Sequence, residues 1–345
     1  MVSDPNPPLS GSSIVTQFNL DDPGGLPAPT PGSATSGIHD PALTGVTAVL
    51  PTPFRPDQQV AFDDVPRLVN WAIAKGATAI AVTGTSGEAF RLSDNERIAL
   101  VRTFCDATGT RVPVVVGVGH LSTLTVIEMG TAAVKAGARA LLVPPPPIGA
   151  AREAAIADFY MEVAREVPVP IIVQDDPINL GVGLSAETVS ALASNVGTIR
   201  YAKLEELPSL SKIRRISELT SGLVNCLGGS GGVYALEELT AGAVGIMTGF
   251  CFPEALVAIM SAFRAGDVAL ARRYTMMISN LARLEALPRV FLSIRKHLYT
   301  ERGALTSATL RSPSVHADTW TLELALAELR IVETEWAALH ASAGL

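Results

Sequence analysis

The chain has 345 residues, 48% of them apolar, and a formal net charge of −7 at neutral pH. That composition supplies a substantial globular core, and no basic run offers the positive patch that nucleic-acid binding needs. Cys105, Cys226 and Cys251 are too scattered for a disulfide framework or a metal-ligand spacing, which makes a reducing, cytoplasmic setting the expectation. No segment approaches the roughly 18 uninterrupted apolar residues of a membrane span, and the first residues lack the cationic start and apolar run of an export signal.

In chain order, residues 1–44 are rich in Pro, Gly, Ser and Asp and read as a flexible N-terminal arm. From Gly45 onward, short β-branched runs alternate with longer amphipathic stretches. The runs are VTAVL (46–50), AIAVT (79–83), PVVVGVG (113–119), ALLV (140–143), PIIVQ (170–174), IRYAKL (199–204), LVNCL (223–227) and AVGIM (243–247). Helices are expected between them over 63–75, 94–107, 123–136, 153–166, 186–194, 208–218, 232–240 and 253–265. Ser93 with Glu96 three residues later has capping-box spacing, and Pro208 suits a first helical position.

Eight strand–helix units predict an α/β fold, a (β/α)8 TIM barrel over 45–266, with extra C-terminal helices over 267–345. Within the extension, helical periodicity covers 268–285 and 322–339. A doubly wound sheet is the alternative, but LPTPFRPD after the first strand is no Gly-rich phosphate fingerprint.

Catalytic groups of such a barrel sit at the C-terminal ends of its strands. Lys203 and Glu205 end the sixth. Period-two alternation puts Ile199, Tyr201, Lys203 and Glu205 on one face, with Lys203 and Glu205 roughly 7 Å apart along the strand. A lysine withdrawn from water at the mouth can attack a carbonyl and form a Schiff base; the pattern is equally compatible with a plain ion pair at the rim.

TGTSGEAF (83–90) follows the second strand. Its glycines let the backbone turn tightly and present the hydroxyls of Thr85 and Ser86 with adjacent N–H groups, a suitable cradle for a carboxylate, or else an ordinary strand–helix loop. Gln174 closes the fifth strand, in phase with Ile172 and Asp176, while Asp175 faces away; the aspartates read as turn chemistry. His120 ends the third strand and is eligible for proton transfer or for a structural bond. Gly229, in CLGGSGGVYA after the seventh strand, could help receive an anion on backbone N–H groups, or belong to a plain tight loop. Pro144–Pro147 stiffen the rim after the fourth strand. No HExxH-type or clustered carboxylate motif supports a metal.

GTSGE after the second strand, a lysine ending the sixth, eight βα units and a helical C-terminal extension together resemble the dihydrodipicolinate synthase and N-acetylneuraminate lyase family, from about Gly45 to the C-terminus. The resemblance implies a Schiff base from Lys203 to a small-molecule 2-keto acid, with its carboxylate at Thr85 and Ser86. It implies no cofactor, and a homotetramer or homodimer. The family's phenolic tyrosine after the fifth strand is replaced by Gln174, and its arginine a few residues on by Asn179, which argues against dihydrodipicolinate synthase activity. VQDDP, YAKLEELP and RSPSVHADTW are similar to the branch containing L-2-keto-3-deoxyarabonate dehydratase. A dehydratase of 2-keto-3-deoxy sugar acids is therefore the expectation, with Lys203 as nucleophile, Glu205 moving protons and Gln174 orienting the substrate or a water. A pyruvate-releasing retro-aldolase and a non-catalytic binding barrel are the alternatives.

Overall fold

The computed structural model describes residues 42–147 and 153–343; the expected N-terminal arm, up to residue 41, lies outside them. Eight parallel strands close in chain order into a barrel: β1 Val46–Val49, β2 Ala79–Val82, β3 Val114–Gly117, β4 Ala140–Val143, β5 Ile171–Asp175, β6 Ile199–Leu204, β7 Asn225–Gly228 and β8 Gly245–Thr248. β8 pairs with β1 to complete the ring.

The barrel helices are α1 (Val65–Ala74), α2 (Asp94–Thr108), α3 (Thr123–Ala136), α4 (Glu153–Glu166), a short α5 (Pro177–Leu180), α6 (Ala186–Asn195), α7 (Ser209–Thr220), α8 (Ala235–Thr240) and α9 (Pro253–Arg264). The capping box at α2 forms as its spacing predicts, with the Ser93 hydroxyl accepting from the Glu96 N–H and the Glu96 carboxylate accepting from the Ser93 N–H. Pro208 takes the N-cap of α7 instead of its first turn, with extended backbone angles. α8 starts at Ala235, because Ser230–Gly232 are used in a tight 3-10 turn whose Gly231 has a left-handed φ of 68°.

Two apolar layers result from the strand alternation. The outer one joins strands to helices; the inner one fills the barrel with Val49, Ala79, Ala81, Val115, Ala140, Leu142, Ile172, Tyr201, Leu227 and Met247, with Leu43 at its base. Small alanines on β2 face a bulky tyrosine on β6, so the interior is packed, and the Tyr201 hydroxyl accepts from the Leu43 N–H at 3.2 Å. The β5–β6 register slips by one residue: Ile171 faces Ile199, but Ile172 faces Tyr201. Ile199 therefore packs in the outer layer while Tyr201 lines the interior, which corrects the single face expected for both. The slip sets the phase that carries Lys203 into the barrel mouth.

Three helices follow the barrel: α10 (Val268–Glu285), α11 (Phe291–Glu301) and α12 (Thr319–Ala343). α11 escapes the periodicity argument because Ser293, Arg295 and Lys296 are buried among its apolar residues, which erases the amphipathic pattern. Arg302 fastens the extension to α9 by pairing with Glu254 at 2.6 Å and lying over the Phe252 ring at 4.1 Å.

Lys296 is sealed from solvent and pairs with the equally sealed Glu88 at 2.5 Å, while also donating to the Thr309 carbonyl at 2.8 Å. Burial pushes its ammonium down to about 8, against the opposing pull of Glu88. Removing Lys296 leaves the sealed Glu88 relying on the part-exposed Arg91 for its counter-charge. Lys296→Met is expected to lower unfolding free energy by about 3–5 kcal/mol, and Glu88→Gln/Lys296→Met to lose clearly less than the two single changes added. Urea unfolding checks this; strictly additive losses would show that the pair is not coupled.

Candidate active site

The loop after β2 is wound tightly at the C-terminal end of the barrel. Thr83 (φ 53°) and Glu88 (φ 54°) bracket it in left-handed backbone, a costly conformation for side-chain-bearing residues. Contacts hold it there. The Thr83 hydroxyl donates to the Gly117 carbonyl at 2.9 Å, and the Thr52 hydroxyl donates to the Gly87 carbonyl at 2.6 Å. Glu88 is turned outward to Lys296 and Arg91, so it serves the loop from behind. Thr85 and Ser86 are left between the brackets.

A polar row crosses the mouth from this loop to β6. The Gln174 amide nitrogen lies 3.4 Å from Thr85 Oγ1 and 3.2 Å from Glu205 Oε2, donating toward both. Glu205 Oε2 in turn receives Lys203 Nζ at 2.7 Å. Lys203 is only 4% exposed and sits one inward position beyond Tyr201, in register with Gln174 on one side and Leu227 on the other. The sequence phase thus brings Lys203, Glu205, Gln174 and Thr85 into one connected set, with Ser86 next to Thr85. A lysine buried against a single carboxylate can pass it a proton and become a nucleophile, whereas Gln174 offers hydrogen bonds and no proton transfer.

Gly229 lies against Glu205. A Cβ there would lie 2.4 Å from Glu205 Cγ, so the missing side chain is the space Glu205 occupies. The Ser230 hydroxyl donates to the Glu205 carbonyl at 3.3 Å from the same loop. On the far side of this wall is Glu238 from α8, fully buried, with the Ser209 hydroxyl donating to it at 2.8 Å. Burial pushes the Glu238 carboxyl up to about 8, and the negative charge of Glu205 adds to the effect.

His120 is used locally: its Nδ1 accepts from the Ser122 N–H at 3.0 Å just before α3, and it makes no bond to the polar row among the described residues. Asp175 faces outward and pairs with Lys212 at 2.7 Å, as its phase predicts. Asp176 caps α5 by accepting from Asn179, yet burial pushes its carboxyl up to about 6, followed by the effect of Glu205. It is a further carboxyl in the neighbourhood of the site.

Sequence reasoning missed two groups. Arg295 on α11 donates to Ser86 Oγ at 2.7 Å and pairs with Glu285 of α10 at 2.6 Å. No motif announces either. Only two buried-type charges within otherwise helical, partly apolar segments could have hinted at them.

Comparison with known proteins follows the same lines. A model of the "Dihydrodipicolinate synthetase family" matches residues 42–327. An L-2-keto-3-deoxyarabonate dehydratase of Azospirillum brasilense is 31% identical over 297 residues, covering 83% of this chain and 94% of the relative. A 4-hydroxy-tetrahydrodipicolinate synthase of Sorangium cellulosum is 34% identical over 234 residues, covering 67% and 77%. Among solved structures, dihydrodipicolinate synthase from Rhodopseudomonas palustris superposes with a TM-score of 0.80 at 27% identity, covering 86% of this chain and 100% of that one.

Glu238 makes the fold pH-sensitive. Its folded carboxyl titrates near 8 against an unfolded value near 4.5, so the folded state keeps a proton that the unfolded chain releases. Its contribution is full below about 4.5 and is lost as pH rises toward 8. Glu238→Gln, which keeps an acceptor for Ser209, is expected to gain on the wild type by on the order of 1 kcal/mol per pH unit across that window. Urea unfolding at pH 5, 6.5 and 8 measures it; parallel stability curves would rule the titration out.

Proposed function

The chain belongs to the dihydrodipicolinate synthetase family of Schiff-base lyases, and from that premise we propose that it dehydrates a 2-keto-3-deoxy sugar acid through an imine on Lys203. The observation that carries the reading is the Lys203–Glu205 contact of 2.7 Å in the barrel mouth, with Gln174 bridging to Thr85. The coverage of 94% of the keto-deoxyarabonate dehydratase at 31% identity supports the same substrate class.

In this mechanism the Lys203 ammonium gives a proton to Glu205, and the freed amine adds to the C2 ketone. Glu205 returns that proton to the departing C2 oxygen, whose loss as water leaves a protonated imine that draws electrons from C3, and Glu205 is again a carboxylate. Glu205 removes a C3 proton, the C–H pair forms the enamine C2=C3 bond, and that pair then expels the C4 hydroxyl. Glu205 returns its proton to the leaving oxygen, so a second water departs. Hydrolysis of the conjugated imine consumes one water and restores Lys203. Thr85 and Ser86 hold the C1 carboxylate, and Gln174 keeps Glu205 aimed along the C3–C4 edge. The product retains every carbon. The polar row contains no phenol, and the carboxylate beside Lys203 occupies the natural position for the proton carrier. A homotetramer or homodimer is part of the proposal, as the family resemblance implies.

Borohydride in the presence of a 2-keto-3-deoxy acid is expected to trap a covalent adduct on Lys203, which Lys203→Ala abolishes. Glu205→Gln should still be trapped, while turnover falls roughly 10²–10⁴-fold. Peptide mass mapping and product analysis check this. An adduct at another lysine would displace Lys203 from the mechanism, and pyruvate plus an aldehyde as products would make the enzyme an aldolase.

A further inference from the structure

Ser86 is linked to the C-terminal helices by a bond whose direction is fixed. Arg295 has five N–H donors and no acceptor, so in the 2.7 Å contact between its Nη1 and Ser86 Oγ the serine must accept. The hydroxyl proton of Ser86 then has to point elsewhere. No acceptor for it is present among the described residues, and Ser86 adjoins Thr85 at the edge of the polar row.

The guanidinium is built in. Its Nε donates to Glu285 Oε1 at 2.6 Å, and Glu285 Oε2 accepts from the Cys251 N–H at 2.9 Å. Arg295 is 4% exposed and Glu285 1%. The Phe291 ring lies 5.4 Å below the guanidinium. Gly249 lacks the side chain whose Cβ would stand 2.9 Å from Arg295 Nη1, so the end of β8 is open where the arginine crosses it. Glu285 balances the charge of Arg295 locally, and the Nη1 donor is directed at Ser86. A serine that accepts from a cation is polarised into a better donor.

We propose that Arg295 is a positioning residue that turns the Ser86 hydroxyl into a fixed donor, and that this donor makes the site select a carboxylate beside the ketone over a neutral carbonyl compound. The selectivity thereby depends on two helices outside the barrel. The inference rests on the reading of Thr85 and Ser86 as the carboxylate end of the site.

The test uses pyruvate and its neutral analogue pyruvamide, titrated against the full chain carrying Lys203→Met, so that affinity is read without imine formation. In that background Ser86→Ala, and separately Arg295→Met/Glu285→Gln, are each expected to weaken pyruvate about ten- to hundredfold, while pyruvamide changes less than about threefold. Combining them should be no worse than either alone, since both remove one interaction. Arg295→Lys, which keeps the pair with Glu285, should recover part of the preference and guards against a folding defect, with circular dichroism confirming the fold of each variant. Equal affinity for the two ligands in the Lys203→Met protein overturns the inference. So do a parallel fall for both ligands and an additive combination. Borohydride trapping of the otherwise unaltered chain with pyruvate separates the two proposals: no adduct, with the carboxylate preference intact, removes the imine and leaves the role of Arg295 standing.

Discussion

An ion pair withdrawn from water, Lys203 to Glu205 at 2.7 Å, is the contact around which the rest of the mouth is arranged. Taking two charges into a protein interior is unfavourable unless geometry and further hydrogen bonds compensate. The barrel supplies both. A one-residue slip between β5 and β6 directs Lys203 inward, Gln174 gives Glu205 a second hydrogen bond, and Gly229 leaves the carboxylate a place to lie. A side chain at residue 229 would occupy the volume of Glu205 Cγ, so the pair and the glycine loop define each other.

The wall behind the pair is thin and carries its own charge. Gly228 and Gly229 separate Glu205 from Glu238, and a Cβ on Gly228 would meet Glu238 Oε2 at 2.1 Å. Holding Glu238 protonated keeps a second negative charge away from the mouth, and its burial costs stability progressively as pH rises from about 4.5 toward 8, where the unfolded chain gives up the proton that the fold retains. The opposite wall is braced differently. Adjacent residues of α11, Arg295 and Lys296, reach Ser86 and Glu88, so one turn of an added helix holds the middle and the C-terminal end of the hydroxyl-bearing loop. Strain at Thr83 and Glu88 persists because these contacts over-determine the loop.

The eight strands were legible because each is a short β-branched run bounded by turn residues, and β4 and β6 match their expected ends. Lys203, Glu205, Gln174 and Thr85 were legible because strand ends point into the mouth of such a barrel and their residue types are costly to bury without a partner. What escaped had no local signal. The bulge at β6 depends on pairing with β5, and α11 hides its inward face behind buried charges. The partnership of Arg295 with Ser86 spans 209 positions of chain. His120 at its strand end accepts from the loop beside it, and alternation cannot distinguish such a structural bond from a place in the site.

The proposed chemistry stands or falls on Glu205 moving the C3 proton of a ketone held as an imine on Lys203. Proton NMR of pyruvate in deuterated buffer reads this step alone, without elimination or release of a product. The wild-type chain is expected to wash out the methyl signal, Lys203→Ala to stop the exchange, and Glu205→Gln to slow it by orders of magnitude. Exchange at an undiminished rate in Glu205→Gln, or none in the wild type, would contradict it.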